Sequence, residues 1–206
     1  MFPVVEYPPD VSTFWLGLPE HPWPTFIELS DSTSSGDAAL VGLALATYGH
    51  EGPEPLSPER LEQEFPCALA GGFAATLGNV TIFPSCCCGL EAWREWTRVT
   101  VTGDSPWLGH DPAPWVDVSE DGVTIWADGG LSDAAPPDTQ KLVTSREELI
   151  LAIEAARSSL EAFVSTFERG MTAQGVHNAA ALARLFQEVF VEGREHDLDR
   201  SPRDDE

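Results

Sequence analysis

The chain predicts an α+β fold: a small antiparallel sheet from the central region packed with a C-terminal antiparallel helix pair. Three observations carry this. Two short apolar runs, residues 115–118 and 123–126, flank an Asp121-Gly122 turn signal, and residues 73–77 and 80–83 flank Gly78-Asn79. Such tight connections favour antiparallel hairpins over βαβ crossovers. Finally, Leu149, Ile153, Ala156, Leu160, Phe163 and Phe167 recur at alternating steps of four and three, one apolar stripe along more than five helical turns.

The elements follow in chain order. Residues 1–24 carry Pro3, Pro8, Pro9, Pro19, Pro22 and Pro24 among Phe14, Trp15 and Trp23, and are expected to form an extended arm on the body, because proline removes donors and opposes helix. Residues 25–29 alternate and read as a short strand. Residues 38–48 are apolar almost all round. Periodicity does not separate a buried helix from a buried strand here; Ala and Leu favour helix, against about 1 kcal/mol for Gly42. Ser57 offers an N-cap, Pro58 suits the first helical position, and Pro66 closes a short helix over 58–65. Leu90, Trp93 and Trp96 predict a helix over about 89–99, whereas three prolines and a glycine make 106–114 irregular. Ser145 with Glu148 is a capping-box pattern opening a long helix, which Gly170 is expected to end. A second helix follows over 176–191, with Leu182, Leu185, Phe186, Val189 and Phe190 inward. The expected organisation is an arm over 1–24 and one α+β domain over 25–191. That domain holds the central sheet within about 25–138 and the helical hairpin within about 145–191. An acidic tail over 192–206 has almost no apolar residues and is expected to be disordered. There is no internal repeat.

Charge narrows the function. Asp and Glu number 34 against 11 Lys and Arg, a net −23, and Lys141 is the single lysine. Such a surface repels nucleic-acid backbones and anionic membranes and favours encounter with a basic protein partner. No run of 18 apolar residues exists to span a membrane. The first residues lack the basic and apolar regions of a secretory signal, so a cytoplasmic location is expected. Four cysteines, three of them adjacent, argue against a disulfide framework.

Rare residues concentrate in residues 83–115. The segment holds Cys86, Cys87 and Cys88, His110, and four of the seven tryptophans. On a strand, Cys86 and Cys88 would share a face opposite Cys87. At a helix start, the free N–H groups would favour a thiolate. A Cys-His pairing with His110 suits nucleophilic catalysis, with Asp111 as the candidate orienting group. In an extended segment, however, Asp111 and His110 point apart. The CCC run lacks the C-x2-C spacing of zinc sites, so no cofactor is predicted. Zinc becomes the candidate only if Cys67, His50 or His110 joins the run through the fold. The alternative is that the thiols are core. Trp93, Trp96, Trp107 and Trp115 are likewise either core or a recognition surface. The motifs G-x-G-x-x-G, Walker, G-x-S-x-G, H-E-x-x-H and EF-hand are all missing.

In size, charge and lack of a catalytic motif the chain resembles immunity and antitoxin proteins in general, a likeness of composition that assigns no site residue. The leading expectation is a non-enzymatic acidic binding protein, of immunity or inhibitor type, for a basic protein partner. The alternative is a thiol-dependent enzyme or a redox or metal sensor using Cys86–Cys88 with His110. The heptad-like C-terminal stripe raises a homodimer through the C-terminal helices as a further expectation.

Overall fold

The structure, a computed structural model, describes residues 1–6, 26–48, 55–131 and 136–194. Its longest element is the one the apolar stripe predicts. Helix α4 (Arg146–Ala173) opens on the capping box: Ser145 Oγ accepts from the Glu148 N–H at 3.1 Å, and Glu148 Oε2 accepts from the Ser145 N–H at 3.0 Å. The stripe residues Leu149, Ile153, Ala156, Leu160, Phe163 and Phe167 are all buried within the chain's own core.

Gly170 does not end α4, which runs three residues further. Its role is packing. A Cβ there would lie 2.7 Å from the Ala38 Cβ and 2.9 Å from the Ser35 carbonyl oxygen, so glycine is what lets α1 (Ser35–Thr47) cross closely. Residues 38–46 of α1 are buried without a break, which is why no periodicity marked it. Helix α2 (Pro58–Gln63) starts at Ser57, whose hydroxyl accepts from the Arg60 N–H. Helix α5 (Ala179–Phe186) continues into a π turn, Gln187–Glu192, and brings Phe186 and Phe190 into an aromatic cluster with Phe163 and Phe167.

Two antiparallel sheets stand where one was expected. The first has the order β2-β1-β3-β4, with β1 (Phe2–Glu6), β2 (Phe26–Glu28), β3 (Gly71–Leu77) and β4 (Val80–Ile82). The start of the expected arm is therefore an interior strand, with Val4 and Val5 fully buried. Proline is tolerated at Pro3, the second residue of this strand. The rest of the arm, residues 7–24, lies outside the described residues, as do Thr25, His50 and the tail from residue 195. Gly71 (φ +148°) makes the β1–β3 approach attainable: a Cβ would sit 2.9 Å from the Val5 Cα.

The second sheet is β5 (Trp115–Ser119), β6 (Gly122–Trp126) and β7 (Lys141–Thr144), in that order. The predicted hairpin forms, with Trp115 opposite Trp126, but Ser119 pairs with Gly122, so the turn falls on Glu120-Asp121 and Gly122 opens β6. Strand β7 was not anticipated; it is four residues long and meets β3 and β4 as well as β6. Between the sheets, a 3₁₀ turn (Leu90–Arg94) leads into α3 (Glu95–Thr102), which Gly103 ends in the left-handed conformation. Among the described residues no helix is long and apolar enough to cross a membrane.

Candidate functional site

The cysteine run is neither a strand nor a helix start. Residues 85–88 form a tight turn closed by the Cys88 N–H to the Ser85 carbonyl at 3.1 Å. Cys87 occupies its third position with φ +66°, one of two non-glycine residues with positive φ among those described. A turn with positive φ at its third position usually takes glycine there. In an extended run, adjacent side chains diverge; the left-handed residue instead brings the Cys86 and Cys87 thiols to the same exposed side, and Cys88 turns inward.

The turn is fixed from both sides. The Gly71 N–H bonds the Cys88 carbonyl at 3.1 Å, tying the run to β3, and the Ser85 N–H bonds the Leu108 carbonyl at 2.8 Å. Ser85 Oγ accepts from the Asp111 N–H at 3.1 Å and donates to the Pro112 carbonyl. Gly109 (φ +100°) lies against this turn, where a Cβ would be 2.6 Å from the Cys86 carbonyl oxygen. The irregular 106–114 loop is thereby laid along the cysteine turn.

This pairing brings His110 to the thiols. Its Nδ1 is 3.7 Å from Cys86 Sγ, and the donor atoms of Cys86, Cys87 and His110 all lie within 4.8 Å of one another, all three residues exposed. The Asp111 carboxylate does not join this donor set. Asp111 contributes its main chain, the N–H to Ser85 and the carbonyl oxygen at 3.8 Å from Cys86 Sγ. Among the described residues, the hydrogen bonds of Asp111 at this turn are made by its main chain and none joins its carboxylate to the imidazole.

Cys88 is set apart. It is 5% exposed, and its S–H donates to the Trp107 carbonyl at 3.4 Å. Burial, aided by Glu91 and Glu95, pushes its thiol up to about 12. It is a packing residue. Cys67 is exposed and outside the cluster.

The tryptophans divide in the same way. Trp93 and Trp96, expected to be either core or a recognition surface, are core, 5% and 2% exposed. Trp93 stacks on Phe73 and donates its indole N–H to the Phe190 carbonyl at 2.7 Å. The reason is that the 3₁₀ turn packs between β3 and the π turn that follows α5, and α3 packs against α4, so Trp93 and Trp96 point into the core. Trp115 is half-buried and stacks on Trp126. Trp107 is 43% exposed and held at three points: its N–H donates to Glu95 Oε2 at 2.7 Å, its indole N–H to the Cys87 carbonyl at 2.9 Å, and its ring stacks on His110 at 6.2 Å.

Ser85 and Glu95 were missed from the sequence. Neither belongs to a motif, and both act through tertiary hydrogen bonds spanning 12 to 27 residues that local pattern does not encode. No protein-family model, curated protein or solved structure matches the chain.

Proposed function

We propose that Cys86, Cys87 and His110 form a site for a thiophilic divalent cation such as zinc, so that the protein acts as a metal-responsive binding protein. The observation that carries this is the convergence of three soft donors within 4.8 Å on an exposed turn. Zinc held at about 2.3 Å from sulfur and about 2.0 Å from nitrogen places tetrahedral S and N ligands about 3.5 Å apart. The Cys86–His110 separation of 3.7 Å is already near that value. Two thiolates and a neutral imidazole balance a divalent ion and leave a fourth position for water or a partner's ligand. The conformation of Cys87 supports the reading. A left-handed non-glycine residue costs about 1–2 kcal/mol that glycine would avoid. A cysteine there trades stability for the placement of a thiol.

The test is titration of the reduced apo protein with Zn2+ against a chromophoric chelator, and with Co2+ to read sulfur-to-metal charge transfer. One equivalent should bind. C86S, C87S and H110A should each weaken it roughly tenfold or more, and C67S should not. C87G should lose affinity without lowering the melting temperature. Absence of binding, or a loss in C67S equal to that in C86S, overturns the proposal.

The same 3.7 Å contact supports a second reading, in which the His110 imidazole takes the Cys86 proton and the thiolate acts as a nucleophile. Rapid iodoacetamide labelling of Cys86 that H110A slows supports it; labelling unaffected by H110A rejects it.

A further inference from the structure

Beside Trp107, between α3 and the second sheet, lies a cavity of about 350 Å³ whose walls include Pro106, Trp107, Pro114, Trp115 and Leu131 and whose one charged lining residue is Glu95. We propose that this cavity receives an arginine side chain from a basic protein partner.

The chemistry of the walls is selective. Indole rings attract cations through their negative faces, and a guanidinium both stacks on such rings and pairs with a carboxylate in its plane. Glu95 is half-buried and fixed by the Trp107 N–H at 2.7 Å, so its carboxylate is already oriented. The rings are pre-set as well. Trp107 is pinned by its indole N–H to the Cys87 carbonyl, and Trp115 stacks on Trp126 with centroids 6.0 Å apart and planes 10° apart. The neighbouring indole already holds a cation of the chain itself: the Lys141 ammonium lies 4.6 Å over the Trp126 ring. Prolines 106 and 114 stiffen the rim, so little conformational freedom is lost on binding. Charge complementarity selects the occupant. A chain of net −23 draws basic proteins in, and a cleft with one carboxylate and low-dielectric walls focuses that field. An anionic or purely apolar partner would leave Glu95 facing it unpaired.

The probe is a hexa-arginine peptide titrated into the full chain, followed by the indole N–H resonances of the tryptophans. The indole signals of Trp107 and Trp115 should shift most. E95Q, whose side-chain oxygen still accepts the Trp107 N–H, should weaken binding roughly fivefold. E154Q, which removes an equal charge from an exposed position on α4, should change it less than about twofold. Equal losses in E95Q and E154Q, or shifts spread evenly over all indoles, show diffuse attraction to an acidic surface and overturn the proposal. C86S and C87S should bind the peptide as the parent does, which keeps this outcome separate from that of the metal site.

Discussion

Three adjacent cysteines in this chain part into two outward thiols and one buried one, at a turn with one left-handed residue. The left-handed Cys87 sends its own thiol and that of Cys86 outward, while Cys88 sinks beneath Trp107. Folding thereby makes Cys88 a much weaker acid than an ordinary thiol. The unfolded chain sheds this proton first as pH rises past the ordinary value of 9.0, so above it the unfolded state binds fewer protons. Stability from this group is complete below 9.0 and falls by ~1.4 kcal/mol per pH unit toward about 12. Alkaline denaturation followed by circular dichroism should therefore be shallower in C88A than in the parent; an identical slope would contradict the burial argument. At neutral pH, mass spectrometry after brief alkylation should find Cys67, Cys86 and Cys87 modified and Cys88 intact. The sequence made these residues conspicuous by their rarity, and it suggested the Cys-His pairing. It did not reveal which thiol faces out, because that depends on a turn conformation cysteine rarely adopts. Nor did it reveal that Trp93 is core and Trp107 is surface, because partners distant in sequence, Phe73 and Phe190 for one, Glu95 and Cys87 for the other, decide it.

Elements whose stability is written locally were legible. The capping box of α4 and the Ser57 cap of α2 stand where cap chemistry puts them, and the 115–126 hairpin forms with its turn one residue before the Asp-Gly signal. Elements defined by their neighbours were not. Strand β7 (Lys141–Thr144) is four residues, too short for an alternating pattern to stand out, and it forms by pairing along the edge of β6. Gly170 misled for a related reason: it sits where a helix stop is expected, yet it serves a crossing. This gives a test with an opposed sign. By intrinsic propensity, Gly170→Ala in a helix interior should stabilise by about 1 kcal/mol. The Ala38 Cβ and the Ser35 carbonyl, at 2.7 Å and 2.9 Å from the new methyl, leave no flexible atom to give way. Overpacking of this kind costs about 1–3 kcal/mol. Urea denaturation should show a net loss, and a gain would mean that α1 and α4 separate freely.

At the scale of the molecule, charge and topology act in opposite senses. A net −23 makes the compact state repel itself, and salt screens that repulsion over a Debye length of about 10 Å at 0.1 M. The melting temperature should rise as NaCl is increased from about 10 mM to about 500 mM. A fall would show that attractive pairs outweigh repulsion, an outcome that exposed pairs such as Arg60–Glu64 and Arg157–Glu161, each worth little, do not favour. The topology has a further consequence. Strand β1 is made first yet sits inside its sheet, between β2 and a β3 that begins at Gly71. During synthesis, Phe2–Glu6 must wait, apolar and half-paired, until Gly71–Leu77 has left the ribosome. Each later strand of this sheet pairs with one already made, but one edge of β1 stays unpaired until β3 emerges. An N-terminal fragment that stops short of β3 would expose a sticky strand edge and be a target for chaperones rather than a folding unit.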